Sequence, residues 1–346
     1  MKNSLCAVLA AACLPVIASS TSVYAQSASS GPYKVLDVAK VGGAGGFDYL
    51  YADADGRRLY VPRGTRIPVY DLDSLKQVGE IANVTAVHGA AVDPKSHHGF
   101  SSSKPVVMWD SKTLATIKMI EVDGAPDGIF FDAYSSKILI LSHKAPNVTV
   151  IDSKDGTIVG TIDLGGAPEQ AASDGKGHVY IDLEDKDKVA VVDIKALKMT
   201  TTYDLAGKGG TPAGLAIDAK NHILFVGCRK PQTVVVMNAD DGKIITALPI
   251  GAGVDASEFN PKTKEAFSSQ RDGTLTVIKE NSPTDFVVEQ TVETKVGAKT
   301  STLDEKTGKV FLIAAEMTPP PPAPAGTPPA RPQMVPDSFS IITVGK

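Results

Sequence analysis

Seven positions at one phase of a sequence repeat stand out, because six of them carry side chains that could bind a cation or transfer protons. Each lies five residues before an Asp or Asn that closes the first predicted strand of its repeat. They are Asp48, His88, Asp127, Glu169, Ala213, Asp255 and Lys299. Hard divalent cations take several oxygen ligands, and imidazole suits transition metals. The four carboxylates are therefore candidate ligands of a divalent cation such as Ca²⁺ or Mg²⁺.

Two other interpretations of these residues remain open. Carboxylates gathered around an axis raise one another's pKa when no cation compensates, so the set could form a polar acid–base mouth without metal. Alternatively, the acids accept hydrogen bonds from loop amides and face water, and seven-fold geometry holds opposite members too far apart to share one ion. The sequence does not choose among the three.

A second set of charged residues follows the second predicted strands. It is basic, with an interruption at Glu184 and Asp185, and consists of Arg63, Lys104, His143, Lys144, Arg229, Lys230 and Arg271. A basic outer ring around an acidic throat would attract an anionic small molecule or an acidic protein segment. The alternative is that these are ordinary solvated loop charges.

The repeat itself predicts the fold that positions both sets. Its closing residues are 40, 39, 42, 44, 42 and 44 residues apart, and they are Asp53, Asp93, Asp132, Asp174, Asp218, Asn260 and Asp304. In one copy, residues 128–132, 137–142 and 148–152 predict three short strands, and the alternating segment 157–164 predicts an outer edge strand. Seven such copies predict a single all-β domain, a seven-bladed β-propeller over residues 26–346. First strands line the channel of a propeller, so both sets should meet at one mouth.

The last copy lacks an outer strand, and the start of the domain supplies a candidate. Residues 33–41 alternate like an outer strand and run into a glycine linker at 42–46. We therefore expect residues 33–41 to pair with Phe339–Val344 and close the ring, which protects two sheet edges. An unrelated N-terminal arm is the alternative.

The blade pattern resembles a known family of repeats. Third strands read hydrophobic-Val-x-Val-hydrophobic-Asp, as at 189–193, and turns of the Asp-Gly-Lys type follow, as at 241–243. This pattern is similar to the YVTN-repeat, or YncE-like, propellers and covers essentially the whole domain. The resemblance implies a secreted or periplasmic seven-bladed propeller. One type of relative binds DNA, but the formal net charge of −4 argues against nucleic acid as a partner here.

The two ends of the chain carry features outside the repeat. Residues 1–25 have a basic start, an apolar stretch and small residues before Gln26, which predicts a cleaved signal peptide and export to the periplasm or the medium. No other run could span a membrane, and Cys228 is then the one cysteine left. Residues 317–336 form a Pro-rich insertion in the last blade, expected on the mouth face as a semi-rigid rim, a docking strip or a solvated loop.

These observations favour a monomeric binding scaffold without catalysis, which recognises a small molecule or a protein segment at the channel mouth. The alternative is a metal-dependent hydrolase of the gluconolactonase kind. In that case Asp48, Glu169 and Asp255 would be metal ligands, with His88 or Asp127 as the base. The chain contains no Gly-x-Ser-x-Gly elbow, phosphate loop or haem attachment motif.

Overall fold

The computed structural model describes Met1 and residues 30–43, 45–319 and 332–346. These residues form seven antiparallel four-stranded sheets and no helix. Six sheets use four consecutive strands, and the seventh combines the last three strands with the first. The prediction of an all-β, seven-bladed β-propeller is confirmed.

Each blade runs from an inner to an outer strand. Blades one to three contain β2 (Tyr51–Asp53), β3 (Arg58–Tyr60), β4 (Gly64–Asp71), β5 (Gln77–Val87), β6 (Ala90–Asp93), β7 (His98–Ser101), β8 (Val106–Asp110), β9 (Thr116–Ile120), β10 (Pro126–Asp132), β11 (Lys137–Ser142), β12 (Val148–Asp152) and β13 (Ile158–Ile162). Blades four to six contain β14 (Pro168–Ser173), β15 (His178–Leu183), β16 (Lys188–Asp193), β17 (Lys198–Asp204), β18 (Pro212–Asp218), β19 (Ile223–Arg229), β20 (Gln232–Asn238), β21 (Ile244–Pro249), β22 (Val254–Asn260), β23 (Glu265–Gln270), β24 (Thr274–Ser282) and β25 (Asp285–Glu293). Blade seven contains β26 (Ser301–Asp304), β27 (Lys309–Ala314), β28 (Ser340–Gly345) and β1 (Lys34–Lys40).

The ring is closed as expected, by pairing of β1 with β28. The register runs from Lys34 opposite Gly345 to Lys40 opposite Ser340. Tyr33, just before β1, is buried and packs edge-on against Phe267 of blade six. The N-terminal strand therefore completes blade seven, while its leading tyrosine anchors it to the neighbouring blade.

The residue that marks each repeat has a local structural role. Its side chain accepts a hydrogen bond from a backbone amide of the turn between the first and second strands. In blade one, for example, Gly56 N donates to Asp53 Oδ1 at 2.9 Å. Such side-chain acceptors satisfy turn amides that have no partner in the ladder. This requirement explains why Asp or Asn recurs there.

The core lies between neighbouring blades. Trp109 is fully buried there, with its ring 5.7 Å from that of Tyr60 in the adjacent blade. Gly99 is its cross-strand partner, and a Cβ at that position would overlap the indole. Trp109 thus serves blade packing. Burial raises the pKa of the Cys228 thiol to about 12, which makes this buried side chain an inert core residue.

First strands from all seven blades line a central channel of about 710 Å³. The loops that enter first strands and those between second and third strands lie at one end of it. Two contacts join the described ends of the Pro-rich insertion. Met317 and Met334 form an isolated β-bridge, and Thr318 N donates to Gln333 O at 2.7 Å. Residues 320–331 of that insertion and residues 2–29, which contain the predicted signal peptide, lie outside the described residues. No helix in the described parts of the chain has the length and apolarity of a membrane span.

Candidate functional site

Side chains from all seven blades form a closed circuit of polar contacts at one mouth of the channel. We call this circuit the mouth ring. Its members are Asp48, His88, Asp127, His143, Glu169, Glu184, Arg229, Asp255 and Lys299. Six of them are the ionisable residues predicted from the phase of the repeat. The other three lie at the end of a second strand or in the loop that follows one.

One half of the mouth ring alternates carboxylates with imidazoles. His88 Nδ1 lies 2.9 Å from Asp48 Oδ2 and 3.1 Å from Asp127 Oδ1. His143 Nε2 lies 3.3 Å from Asp127 Oδ2 and 3.7 Å from Glu169 Oε1. Asp127 therefore offers one oxygen to each histidine. Carboxylate and imidazole side chains at these separations are suited to proton transfer or to binding a cation.

The other half alternates carboxylates with permanent cations. Arg229 pairs with Glu184 through one guanidinium nitrogen and with Asp255 through another. Lys299 pairs with Asp255 and lies 3.4 Å from Asp48 Oδ1. Asp255 is thus held by two cations, and it is only 7 % exposed at its side chain. Its oxygens are already neutralised, which leaves it less suited to a metal than the sequence suggested.

Blade five shows how the ring closes despite a missing polar residue. The ring position of this blade is Ala213, which is buried. Arg229, at the end of β19 in the same blade, reaches Glu184 of blade four and Asp255 of blade six. A longer side chain from the neighbouring loop therefore bridges the gap that the alanine leaves.

Burial and close neighbours separate the pKa values of the ring carboxylates. Burial, followed by a hydrogen bond with Glu184, raises the pKa of Glu169 to about 9. Burial and the charge of Asp48 also raise the pKa of Asp127. Burial acts in the same direction on Asp48, but the hydrogen bond from His88 and the charge of Lys299 outweigh it and lower the pKa of that carboxyl. At neutral pH the ring therefore contains both a proton donor, Glu169, and ionised carboxylates.

The neighbouring carboxylates and burial also shift the pKa of the His88 imidazole. Its hydrogen bond with Asp48 raises its pKa, against the opposing effect of burial, and the charge of Asp127 acts in the same direction as the bond. The raised pKa favours the positively charged form of His88. In that form it pairs with the carboxylates of its half of the ring, as Lys299 does in the other half.

Tyr49 belongs to the site although it carries no repeat signal. Its hydroxyl donates to Glu169 Oε2 at 2.7 Å, so a side chain of blade one crosses the mouth to blade four. Burial and the carboxylates around it raise the pKa of this phenol well above its usual range, which keeps it a donor. The one sequence clue is its place beside Asp48, and that clue does not predict the direction of the side chain.

A cavity of about 390 Å³ lies within the mouth. Its lining comprises Asp48, Tyr49, Asp127, His143, Glu169, Arg229, Gly253, Asp255, Arg271 and Lys299. Arg271 is exposed at its edge, and its guanidinium makes no ion pair or hydrogen bond with another described residue.

Four members of the predicted basic set do not line the cavity, namely Arg63, Lys104, Lys144 and Lys230. The Arg63 guanidinium is buried 3.2 Å from the centroid of the Phe339 ring, and it donates to the Gly42 carbonyl. Lys104 is exposed and donates to the Gly124 carbonyl at 3.3 Å. The predicted basic set is therefore represented in the cavity lining by His143, Arg229 and Arg271.

Two overlapping groups of three side chains in the described residues have the spacing of a metal site. In each group one ligand atom per residue lies within 4.8 Å of the other two, and the groups are Asp48, His88, Asp127 and Asp127, His143, Glu169. Three of the four carboxylates proposed from sequence therefore occur in such groups, together with two histidines. Asp255 occurs in neither.

Comparison with known proteins adds no assignment to this geometry. A scan against models of protein families finds no match, and a search of curated proteins finds none either.

Proposed function

We propose that the protein is a binding scaffold that takes a small anionic molecule in the mouth cavity. The observation that carries this proposal is Arg271, an exposed cation at the cavity edge without an ion-pair partner among the described residues. A volume of about 390 Å³ lies in the range of small-molecule sites, which is roughly 300–1,000 Å³. A propeller supports this role because its first strands hold Asp127, Glu169 and Asp255 on rigid elements.

The charge distribution of the cavity suggests how such a molecule would be oriented. Arg271, Arg229 and Lys299 stand on one side, while Asp127, His143 and Glu169 stand on the other. An anionic group would approach Arg271, since the other two cations already have carboxylate partners. The rest of the molecule would extend toward the histidine side and offer it a hydrogen-bond donor or a metal-binding atom.

We further propose that the protein is an exported, monomeric member of the YVTN-repeat, or YncE-like, propellers. The support is the blade pattern of the third strands and turns, and the signal-like composition of residues 1–25. Mass spectrometry of protein from the periplasm or medium would test the cleavage before Gln26. A start at Met1 in exported protein would contradict it.

Titration calorimetry tests the binding proposal, with succinate and inorganic phosphate as probes and chelator-treated protein at constant ionic strength. We expect binding of at least one probe to the wild type and at least tenfold weaker binding to Arg271→Gln. Lys104→Gln is the matched control, because Lys104 comes from an equivalent loop and lies outside the cavity. Equal losses in both variants, or no binding of either anion, would contradict the proposal.

Metal-dependent hydrolysis is the second candidate, favoured by the two histidine–carboxylate groups of the mouth ring. Propellers of the gluconolactonase kind use a channel cation to polarise an ester carbonyl. The test is turnover of glucono-δ-lactone by the purified protein. Turnover that disappears in Glu169→Ala would replace the scaffold proposal by this one, and absence of turnover would remove the hydrolase candidate.

A further inference from the structure

We propose that Asp127, His143 and Glu169 form a site for one divalent transition-metal ion of the zinc class, bound through Asp127 Oδ2, His143 Nε2 and Glu169 Oε1. The three side chains come from β10, the loop between β11 and β12, and β14, so two adjacent blades supply them. This set differs from the four carboxylates suggested by the repeat, because it includes an imidazole and excludes Asp255. It concerns a metal and does not depend on the anion proposed above.

The separations of the ligand atoms fit a four-coordinate ion. Around zinc with bonds of about 2.0–2.1 Å, neighbouring tetrahedral ligand atoms are roughly 3.3–3.4 Å apart. His143 Nε2 lies 3.3 Å from Asp127 Oδ2 and 3.7 Å from Glu169 Oε1. One ligand atom from each residue also lies within 4.8 Å of the other two. Small rotations of the side chains therefore suffice to bring all three onto one ion.

Each carboxylate ligand is held by a second partner through its other oxygen. The Tyr49 hydroxyl donates to Glu169 Oε2 at 2.7 Å. His88 Nδ1, which is hydrogen-bonded to Asp48, lies 3.1 Å from Asp127 Oδ1. Outer donors of this kind fix the direction of metal ligands and are a regular part of metal sites. Both partners reach the carboxylates from other blades, which holds the two ligand oxygens on the His143 side.

The overlapping group of Asp48, His88 and Asp127 is a poorer site for two reasons. Lys299 Nζ lies 3.4 Å from Asp48 Oδ1, and a cation bound there would be repelled by that ammonium. His88 does not line the cavity, whereas Asp127, His143 and Glu169 all do.

The site has the character of an open metal centre. Three protein ligands leave a coordination position for water or a ligand atom, and nitrogen plus oxygen donors suit zinc, cobalt or nickel better than calcium. The ligands line the cavity, so that position opens into the space beside Arg271. The chemical class of molecule that would complete the coordination is a small anion with an oxygen donor.

The experiment is calorimetric titration of chelator-treated protein with Zn²⁺ alone, followed by metal analysis. We expect one equivalent with a dissociation constant in the micromolar range or tighter, and no comparable binding of Mg²⁺. His143→Ala and the near-isosteric Glu169→Gln should each weaken binding at least tenfold. Co²⁺ in place of Zn²⁺ should give the visible absorption of a four-coordinate site. Tyr49→Phe should weaken binding about 10–100-fold without removing a ligand.

The matched control is His178→Ala, because His178 Nδ1 forms a pair with Asp174 at 3.0 Å but belongs to neither group of three. Its zinc affinity should equal that of the wild type. Absence of zinc binding to the wild type overturns the proposal. So does full affinity in both His143→Ala and Glu169→Gln, or Mg²⁺ affinity equal to that of Zn²⁺. Anion binding is measured without metal, so either proposal can fail alone.

Discussion

Tyr33 should contribute more to stability than any residue of the closing strand β1 itself. The strand is largely exposed, with Val38 42 % accessible, whereas Tyr33 is 4 % accessible. Its ring packs edge-on against Phe267 at 5.3 Å, and its hydroxyl donates to the buried carboxylate of Glu265. Its backbone is also held, because Tyr33 N donates to Gln290 Oε1 at 2.9 Å and Gln290 Nε2 donates to Tyr33 O at 2.7 Å.

The contributions of the Tyr33 hydroxyl and of its ring to the free energy of unfolding can be measured separately. Tyr33→Phe keeps the ring and leaves one Glu265 oxygen without its phenol donor, which should cost about 1–3 kcal/mol in the free energy of unfolding. Tyr33→Ala also removes the ring and leaves a cavity, so the total should reach roughly 3–5 kcal/mol. Tm should then fall by on the order of 5–10 °C in Tyr33→Ala, since about 2–4 °C per kcal/mol applies to domains of 150–250 residues and less to longer ones.

The assay is urea denaturation of each variant, with Tm from calorimetry as a second measure. Val38→Ala is the control, because it truncates an exposed residue of the same strand and should cost less than about 1 kcal/mol. Deletion of residues 30–41 should have the largest effect, since it exposes the fully buried β28 as an apolar edge. An unchanged Tm in Tyr33→Ala, or equal losses in Tyr33→Ala and Val38→Ala, would refute this account of ring closure.

Three further outcomes are expected. Burial raises the pKa of Asp182 to about 7, so the folded state holds this proton more tightly than the unfolded state does. The free energy of unfolding therefore falls as pH rises from about 4 to 7. Asp182→Asn should therefore stabilise the protein by on the order of 2–4 kcal/mol at pH 8 relative to wild type, and hardly at pH 4, as measured by urea denaturation. Gly99→Ala should lower Tm, because its methyl group overlaps the indole of Trp109; an unchanged Tm would contradict the packing. Replacing residues 320–331 by a short Gly-Ser link should leave Tm within a few degrees, because the hydrogen bond between Thr318 and Gln333 already joins the two ends. Limited proteolysis of the wild type should cut within 320–331 first, and protection there would contradict this expectation.

The fold was predictable because the same physical requirements recur in every blade. An acid or amide must satisfy turn amides after each first strand, and Asp53 and Asn260 both do so. The closing strand was predictable because the last copy of the repeat lacks a fourth, outer strand. The observed bounds of β1 and β28 differ from the predicted 33–41 and 339–344 by one residue at each end. Strand ends are set by local register, which periodicity does not resolve.

The sequence predicted which residues lie at the mouth of the channel, but it did not predict which of them contact one another. The phase of the repeat indicates which residues reach the mouth, because the blades are related by rotation about the channel. It carries no information on side chains that cross between blades. Tyr49 reaches Glu169 from 120 positions away in the chain, and Arg229 bridges two blades on either side of its own. Such contacts depend on side-chain length and on which neighbouring positions are small.

Asp127 and Asp255 show why equal positions acquire different chemistry. Both stand five residues before a repeat marker and both are largely buried. Asp255 meets Arg229 and Lys299, which are permanently charged, so its negative charge is fully compensated within the protein. Asp127 lies beside His88 and His143 and has no Arg or Lys partner among the described residues, so no permanently charged cation of the ring pairs with it. The adjacent loops therefore decide which carboxylates of one repeated position remain available for a ligand, and in this ring they leave the His143 side open.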